Sequence, residues 1–374
     1  MKSKEVLTNT IASLRFPLTV GVVFIHFSMT DGFCYNGVVY GLDNPPYFFF
    51  VVNLFSEVLA RVCVPLFFII SGFLFFYHLD FSWVVYFRKL RNRVKTLLLP
   101  YMLWNFIAAI VILVKSVLPF YPDVTILISF KRLLNTLFYN LDGNGIIVGP
   151  SFLVPSMACP LNIPLWFVRD LMVMVLLAPV HYMLITSTRG AYIVILGILW
   201  FFSSLFFSST SYVGMLIMAS FFFSWGASYS IRKVNLVVSF RRLKFAPIIY
   251  VIVAIADTLT KNYGFNEYLN KVGIFLGAIS FIILVSYLVE QFPNSANKTL
   301  AGCTFFIFSL HTLFMGDLGK LVFKMCDMPG DKPCFMLFFY FTMPILVVLI
   351  CYFLYFLLYK YVPRLCDVLV GSRR

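Results

Sequence analysis

The sequence predicts an all-α protein, a polytopic membrane helical bundle with about ten transmembrane helices and cytoplasmic N- and C-termini. Of its 374 residues, 61% are apolar and only 12% are charged, about half the charged fraction of a typical soluble domain. The apolar residues fall in runs long enough to cross a bilayer, which takes about 20 residues per helix. No polar stretch of the sequence is long enough for a separate soluble domain. We therefore interpret residues 1–374 as a single membrane domain that ends in a basic cytoplasmic tail, residues 361–374.

Basic residues predict the orientation. Lys2 and Lys4 precede the first apolar run, which places the N-terminus in the cytoplasm by the positive-inside rule. With ten spans, the basic clusters at 88–95 and 232–244 also fall on the cytoplasmic side. The basic residues that produce the net charge of +14 therefore serve to orient the protein in the membrane, and we expect no nucleic-acid partner.

The spans follow from the apolar runs between basic or turn-rich loops. The first contains Leu14–Met29, and the run Tyr47–Tyr77 is too long for one span of about 20 residues. We split that run into an interfacial or re-entrant piece, Tyr47–Ala60, and a second helix from Arg61, and we treat 87–96 as a basic loop. The remaining predicted spans are Leu97–Val117, Leu165–Ile185, Ala191–Phe207, Tyr212–Ile231, Phe245–Thr260, Lys271–Glu290, Thr299–Met315 and Cys334–Tyr359.

Two predictions concern the outer side. The long segment Leu118–Pro164 is rich in Pro, Gly and Asn, and its middle, Ile126–Phe138, has the pattern of an amphipathic surface helix. Cys326 and Cys334 are close in sequence on a predicted outer loop, where an oxidising compartment would permit a disulfide.

Arg15 and His26 are the sharpest functional candidates. They are eleven residues apart, roughly 1,100° around a helix, so they share nearly one face and lie roughly 16 Å apart along the axis. Ionisable groups inside a membrane are costly and usually face a bundle interior or a wet cavity. A neutral imidazole there can take a proton from a hydroxyl. The alternative is a histidine that simply hydrogen-bonds a neighbouring helix.

Arg91 and Arg93 lie at the predicted inner mouth of helices two and three. Guanidinium groups bind phosphate oxygens bidentately, so this pair could hold the phosphates of coenzyme A. The alternative is that the two arginines only orient the chain in the membrane and contact phospholipid head groups.

Further candidates lie on later spans. Trp166, Arg169 and Asp170 stand at i, i+3 and i+4 on helix four, so the indole neighbours both charges and the three are candidate site residues. The alternative is that Trp166 anchors the helix at the membrane interface and the two charged residues form structural ion pairs. His311 lies in the ninth span, where it could instead be a packing histidine.

Two local pairs lie in the apolar run Tyr47–Tyr77. Ser71 and Gly72 are small enough to permit a close helix approach. Glu57 and Arg61 are spaced to form an ion pair with each other. No zinc signature, nucleotide-binding loop or nucleophile elbow is visible in the sequence.

Five stretches in order resemble the acyltransferase-3 family of integral membrane acyltransferases, and the resemblance covers about residues 8–360. They are RFPL from Arg15 with FIHF around His26, VPLFFIISGF with Ser71, RNRVKTLLLPY from Arg91, PLWFVRDL around Trp166, and FFIFSLH ending at His311.

The resemblance implies a membrane O-acyltransferase, and more narrowly an O-acetyltransferase, that moves an acyl group from acyl-CoA to a hydroxyl of a surface polysaccharide or glycolipid. It assigns catalysis to Arg15 and His26 and donor binding to Arg91 and Arg93, and His311 matches a further functional histidine of the family. His26 would be the general base, and Arg15 would hold the carrier or stabilise negative charge.

We accordingly expect acyl-CoA, a carbohydrate or lipid-linked sugar acceptor and membrane lipids as partners. We expect no metal and no permanently bound cofactor, since acetyl-CoA or another acyl-CoA is a substrate. The expected location is the cell's inner membrane, with multiple spans. Acceptor specificity would reside in Leu118–Pro160, which matches no family motif.

The competing interpretation is a polysaccharide or lipid transporter or flippase, with Arg15 and His26 lining a permeation path. A polysaccharide-export subunit without catalysis is a further possibility. The sequence shows no inverted repeat of the kind found in many transporters. Release of CoA by the purified protein would distinguish an enzyme from these alternatives.

Overall fold

The computed structural model describes residues 3–77, 81–117, 125–126, 130–138, 147–148, 159–208, 211–292 and 298–371. This part of the chain is almost entirely helical, which confirms the predicted class. The predicted acceptor segment Leu118–Pro160 lies mostly outside the described residues.

The helices of the first half are, in chain order, α1 (Ser3–His26), α2 (Pro46–Val52), α3 (Cys63–Phe76), α4 (Trp83–Arg93), α5 (Leu99–Val117), α6 (Phe130–Leu137), α7 (Trp166–Leu176) and α8 (Ala178–Ser187). A π-helical turn, Asn53–Leu59, and a 3-10 turn, Ala60–Val62, join α2 to α3, and a second π-helical turn, Val94–Leu98, joins α4 to α5. A 3-10 turn, Ile163–Leu165, leads into α7.

The second half contains α9 (Ala191–Phe202), a 3-10 turn (Ser203–Leu205), α10 (Tyr212–Ile231), α11 (Leu236–Arg241), α12 (Ala246–Leu259), α13 (Asn266–Gln291), α14 (Lys298–Met325), α15 (Pro333–Tyr361) and α16 (Pro363–Val370).

Two small antiparallel sheets complete the described structure. Strands β1 (Phe33–Tyr35) and β2 (Val38–Tyr40) form a hairpin in which Phe33 pairs with Tyr40. Strands β3 (Thr125–Ile126) and β4 (Ile147–Val148) form the other.

Seven helical stretches of the described chain are long and apolar enough to cross a membrane, or eight if the bent pair α7–α8 is counted as one span. They are Lys4–His26, Pro46–Phe76, Trp83–Lys115, Tyr212–Ile231, Asn266–Gln291, Leu300–Met325 and Pro333–Tyr361. Two shorter apolar helices are Ala191–Leu205 and Ala246–Leu259. These segments correspond one by one to the predicted apolar runs, so the protein is a multi-pass membrane protein.

The predicted break inside Tyr47–Tyr77 is wrong. The chain is helical without interruption over the 31 residues from Pro46 to Phe76. The π-helical turn Asn53–Leu59 within this stretch shifts the hydrogen-bond register without ending the helix.

The predicted basic loop at 87–96 is also helical. Ser82 caps α4 by accepting a hydrogen bond from the Val85 amide at 3.3 Å. The helix continues from Trp83 into α5 through the π-helical turn Val94–Leu98. Pro100, which cannot donate a backbone hydrogen bond, is the second residue of α5, where the register changes.

Two further boundaries differ from prediction. The fourth span is bent by 59° between α7 and α8, where Pro179 near the start of α8 cannot continue the hydrogen-bond ladder. Helix α14 continues to Met325, ten residues beyond its predicted end at Met315. Its outer turns are stabilised by packing, since the Phe323 ring lies 5.2 Å from Phe33 and 5.0 Å from Tyr40, between ring centroids.

The chain divides into two compact units, and the first comprises Met1–Ile70 and Arg232–Leu357. Within it, α1 packs against α13, α14 and the π-helical turn, and α12 packs along α13. The β1–β2 hairpin covers the outer turns of α14 through the contacts of Phe323.

The second unit comprises Ser71–Ile231 and Leu358–Arg373. Helix α10 packs against α7, α8 and α9, and α16 packs on α5. The Trp104 indole donates a hydrogen bond of 3.1 Å to the Leu369 carbonyl, so the predicted basic tail is helical and packed over most of its length.

Candidate active site

Helix α1 carries Arg15 and His26 in one unbroken α-helix, so the eleven-residue spacing puts both side chains on nearly one face. Both side chains are half-buried. Thr19 lies between them, is 1% exposed, and donates its hydroxyl to the Arg15 carbonyl at 3.0 Å. Among the described residues, the Arg15 guanidinium has no hydrogen-bond or ion-pair partner. The face of α1 is therefore polar and holds a cation whose hydrogen-bonding capacity is unused.

His26 lies beside His311. The two imidazole rings are 5.2 Å apart between centroids and inclined at 54°. Helix α14 carries His311, and its packing against α1 creates the pair. The rings do not hydrogen-bond each other within the described structure.

A hydrogen bond settles the tautomer of neutral His311. Its Nδ1 lies 3.0 Å from the Ile307 carbonyl oxygen, which can only accept, so Nδ1 carries the hydrogen. The neutral ring then has an unprotonated Nε2. This atom is buried and has no hydrogen-bond partner in the described part of the chain. His311 thus presents a basic lone pair inside the protein, on the ring that neighbours His26.

A charged pair lies next to the contact between the π-helical turn Asn53–Leu59 and α1. Arg61 and Glu57 form an ion pair of 2.6 Å, as their spacing predicts. Glu57 directly follows Ser56, whose hydroxyl hydrogen-bonds the Phe24 carbonyl at 2.8 Å, so the ion pair lies beside the last turn of α1. The first unit therefore combines two imidazoles and an ion pair near the C-terminal end of α1 with Arg15, which lies about three turns earlier on the same helix and has no partner among the described residues.

Arg91 and Arg93 belong to the second unit and occupy the last turn of α4. Arg91 is exposed and Arg93 is half-buried, and residues two apart on a helix point in different directions. Lys89 of the same helix donates a hydrogen bond to the Phe75 carbonyl. Arg91 is thus available to an external anion, and Arg93 has a partly desolvated guanidinium, which strengthens its interaction with a phosphate.

Trp166, Arg169 and Asp170 lie in the first turns of α7, also in the second unit. Arg169 is 1% exposed and Asp170 is 0% exposed, and they pair with each other at 2.8 Å. Arg169 also donates to the Phe138 carbonyl at 2.7 Å. These contacts fit a structural ion pair that joins α7 to the end of α6, with Trp166 half-buried beside it.

The two small residues on α3 differ in exposure. Gly72 is buried against α10, where an added Cβ would overlap the backbone carbonyl of Phe223. The position accepts only glycine without rearrangement, in keeping with the predicted close helix approach. The neighbouring Ser71 is half-buried.

All eight cysteines lie in the described part of the chain, and all are free thiols, including Cys326 and Cys334. Burial raises the pKa of the Cys159 thiol to about 11, so this group stays protonated at neutral pH and is a poor nucleophile. The described residues also contain no cluster of His, Cys, Asp and Glu suited to a metal ion.

Sequence reasoning missed three buried polar residues that support the π-helical turn Asn53–Leu59 and the end of α1: Ser56, Tyr340 and Asp257. Asp257 had a local signal, because Lys261 follows it by four residues and pairs with it at 2.7 Å. Ser56 and Tyr340 meet only through folding, and nothing in their local sequence indicates the contact.

Comparison with known proteins gives two similarities. A family model described as an acyltransferase domain matches residues 10–359. The chain is 28% identical over 178 residues to the succinoglycan biosynthesis protein ExoH of Rhizobium meliloti (strain 1021), a match that covers 46% of this chain and 42% of that relative. The chain thus spans less than half the length of the curated relative that it matches. No solved structure matches.

Proposed function

Because the chain belongs to the acyltransferase-3 family of integral membrane acyltransferases, we propose that it transfers an acyl group from acyl-CoA to a sugar hydroxyl. We propose acetyl, the simplest acyl group, as the group that is transferred. The acceptor class rests on the relative named for succinoglycan biosynthesis, which points to a surface polysaccharide or its lipid-linked precursor.

The observation that carries this proposal is the His26–His311 pair. General-base catalysis needs an unprotonated nitrogen within reach of a hydroxyl, in a place where water does not compete. The two rings lie 5.2 Å apart beside a polar face of α1, and His311 has a buried Nε2 without a hydrogen-bond partner in the described chain.

The chemistry can be assigned atom by atom. His26 takes the proton of the acceptor hydroxyl as its oxygen attacks the carbonyl carbon of the thioester. The imidazolium that forms on His26 donates a hydrogen bond to Nε2 of His311, which stabilises the charge. Collapse of the tetrahedral intermediate breaks the C–S bond, and the departing thiolate receives the proton. The products are an O-acyl sugar and CoA.

Arg15 and the arginines of α4 supply positive charge for an anionic donor. We assign Arg15 to the anionic carrier, because its guanidinium has no protein partner in the described chain and lies roughly 16 Å along α1 from His26. We assign Arg91 and Arg93 to the phosphates of CoA, which guanidinium groups bind bidentately.

The decisive experiment uses the purified protein in lipid vesicles with acetyl-CoA labelled in the acetyl group. The acceptors are short oligosaccharides from bacterial surface polysaccharides. We expect CoA release that depends on the oligosaccharide, together with label on the sugar. A protein that transports a labelled oligosaccharide across the vesicle without releasing CoA would instead be the transporter or flippase.

The sidedness of the reaction is tested with the same vesicles sealed. Acetyl-CoA is supplied only to the face that carries Arg91 and Arg93, and the oligosaccharide is enclosed on either side. Label on acceptor enclosed opposite the donor supports transfer across the membrane. Label only on acceptor at the donor face restricts the reaction to one side.

A further inference from the structure

We infer that Ser56 and Tyr340 are positioning residues that hold the last turn of α1, and with it His26, in place for proton transfer. This inference rests on the proposed function for its catalytic consequence. Its structural part depends only on hydrogen bonds within the first unit.

Ser56 caps the end of α1. Its hydroxyl is 0% exposed and donates to the Phe24 carbonyl at 2.8 Å. Phe24 lies two residues before His26, and α1 ends at His26, so this carbonyl lacks the helical amide four residues on. A buried carbonyl without a partner is unfavourable, and Ser56 satisfies it at the turn that carries the imidazole.

Tyr340 orients Ser56. The two hydroxyl oxygens are 2.7 Å apart, and Tyr340 is also 0% exposed. Because the single Ser56 hydrogen is used on Phe24, the Tyr340 hydroxyl must donate to Ser56. The Tyr340 ring also packs edge-on against the Phe24 ring, with centroids 5.7 Å apart. Helix α15 therefore fixes both the hydroxyl and the ring at the end of α1.

The π-helical turn that carries Ser56 is held from its other side by Asn270 and Lys261. The carbonyl of the next residue, Glu57, accepts from Asn270 Nδ2 at 3.0 Å and from Lys261 Nζ at 3.4 Å. A π-helical turn has displaced backbone hydrogen bonds, so such external donors determine its register.

Asp257 organises those two donors. It is 0% exposed, and its carboxylate accepts from Asn270 and from Lys261, each at 2.7 Å. It also accepts from Asn266 Nδ2 at 2.7 Å. A fully hydrogen-bonded buried carboxylate is a rigid anchor, so the π-helical turn is fixed between α1 and the α12–α13 pair.

Small displacements of a general base are costly, since a misplacement of about 1 Å can reduce the rate about 100-fold. We expect the loss of one supporting hydrogen bond to displace the His26 imidazole by less than about 1 Å. We therefore expect Ser56→Ala and Tyr340→Phe each to lower kcat about tenfold, with KM for acetyl-CoA unchanged, because neither hydroxyl has a role in binding the donor.

Matched controls are present in the same unit. Ser280→Ala removes a buried hydroxyl that bonds only its own helix, through the Leu276 carbonyl at 2.7 Å. Tyr250→Phe removes a buried hydroxyl that has no hydrogen-bond partner in the described structure. Both controls should retain the wild-type kcat. The double variant of Ser56 and Tyr340 should be no slower than the slower single variant, since the two hydroxyls form one chain.

An activity-independent measurement separates this inference from the proposed function. The chain has four histidines, so ¹⁵N-histidine NMR of the detergent-solubilised protein can follow each ring. Ser56→Ala and Tyr340→Phe should shift the His26 and His311 signals and leave the His181 signal unchanged. An inactive wild-type protein with these shifts would refute the proposed function alone. Unshifted signals, an unchanged kcat, or equal losses in the two controls would overturn the positioning role.

Discussion

The imidazole rings of His26 and His311 lie 5.2 Å apart, although 284 residues of sequence separate them. The Nδ1 hydrogen of His311 is committed to the Ile307 carbonyl, so the free nitrogen of that ring is its buried Nε2. The pair therefore combines an imidazole on the polar face of α1 with a second one whose tautomer is set by its own helix.

Substitution of either histidine tests the pair. General-base catalysis contributes about 10²–10⁴-fold, so His26→Ala should lower kcat by at least about 100-fold. His311→Ala should cost less, about tenfold or more, because it removes the stabilising partner and not the base. Rates are measured by CoA release, and membrane insertion is checked by the yield of monodisperse protein. His181→Ala, which alters a histidine of the second unit, is the control.

The contribution of Arg15 to activity should depend on the positive charge of its side chain. Arg15→Ala should lower kcat/KM about 10- to 100-fold, in line with the loss of one charge-assisted contact to the carrier. Arg15→Lys should recover part of that loss, because an ammonium keeps the charge and loses the fork of donors. Equal activity of wild type and Arg15→Ala would contradict a role in holding the carrier.

Donor binding by the α4 arginines predicts an effect on KM. Arg91→Ala and Arg93→Ala should each raise KM for acetyl-CoA about tenfold, the effect of losing one charge-assisted contact, with a smaller change in kcat. Arg88→Ala removes an exposed arginine from the same helix and is the matched control for net charge. If all three variants raise KM equally, the effect is one of general surface charge.

Gly72 provides a test of packing. A Cβ at this position would overlap the Phe223 carbonyl, so Gly72→Ala should destabilise the protein by about 1–3 kcal/mol, the usual cost of overpacking. The measurement is the thermal unfolding midpoint in detergent. Gly316→Ala is the control, because a Cβ there meets no atom within 4 Å, and alanine favours the helix.

Local patterns predicted a large part of this architecture. Apolar runs located the helices because a bilayer requires about 20 apolar residues in each span. Boundaries were less predictable at 87–96 and after Met315, where charge and glycine suggested loops. The chain is helical there because Ser82 caps α4 and because aromatic packing on Phe323 supports the outer turns of α14.

By itself, the sequence determined the membrane-spanning helical class and the shared face of Arg15 and His26, because helical periodicity and apolar length are local properties. Only the tertiary structure decided that His311 is the neighbour of His26 and that Ser56 and Tyr340 support the same turn. Those contacts join residues far apart in the chain, and no periodic pattern encodes them. They depend on the packing of α1 against α14, of α15 against the π-helical turn, and on the hydrogen bonds that this packing leaves to be satisfied.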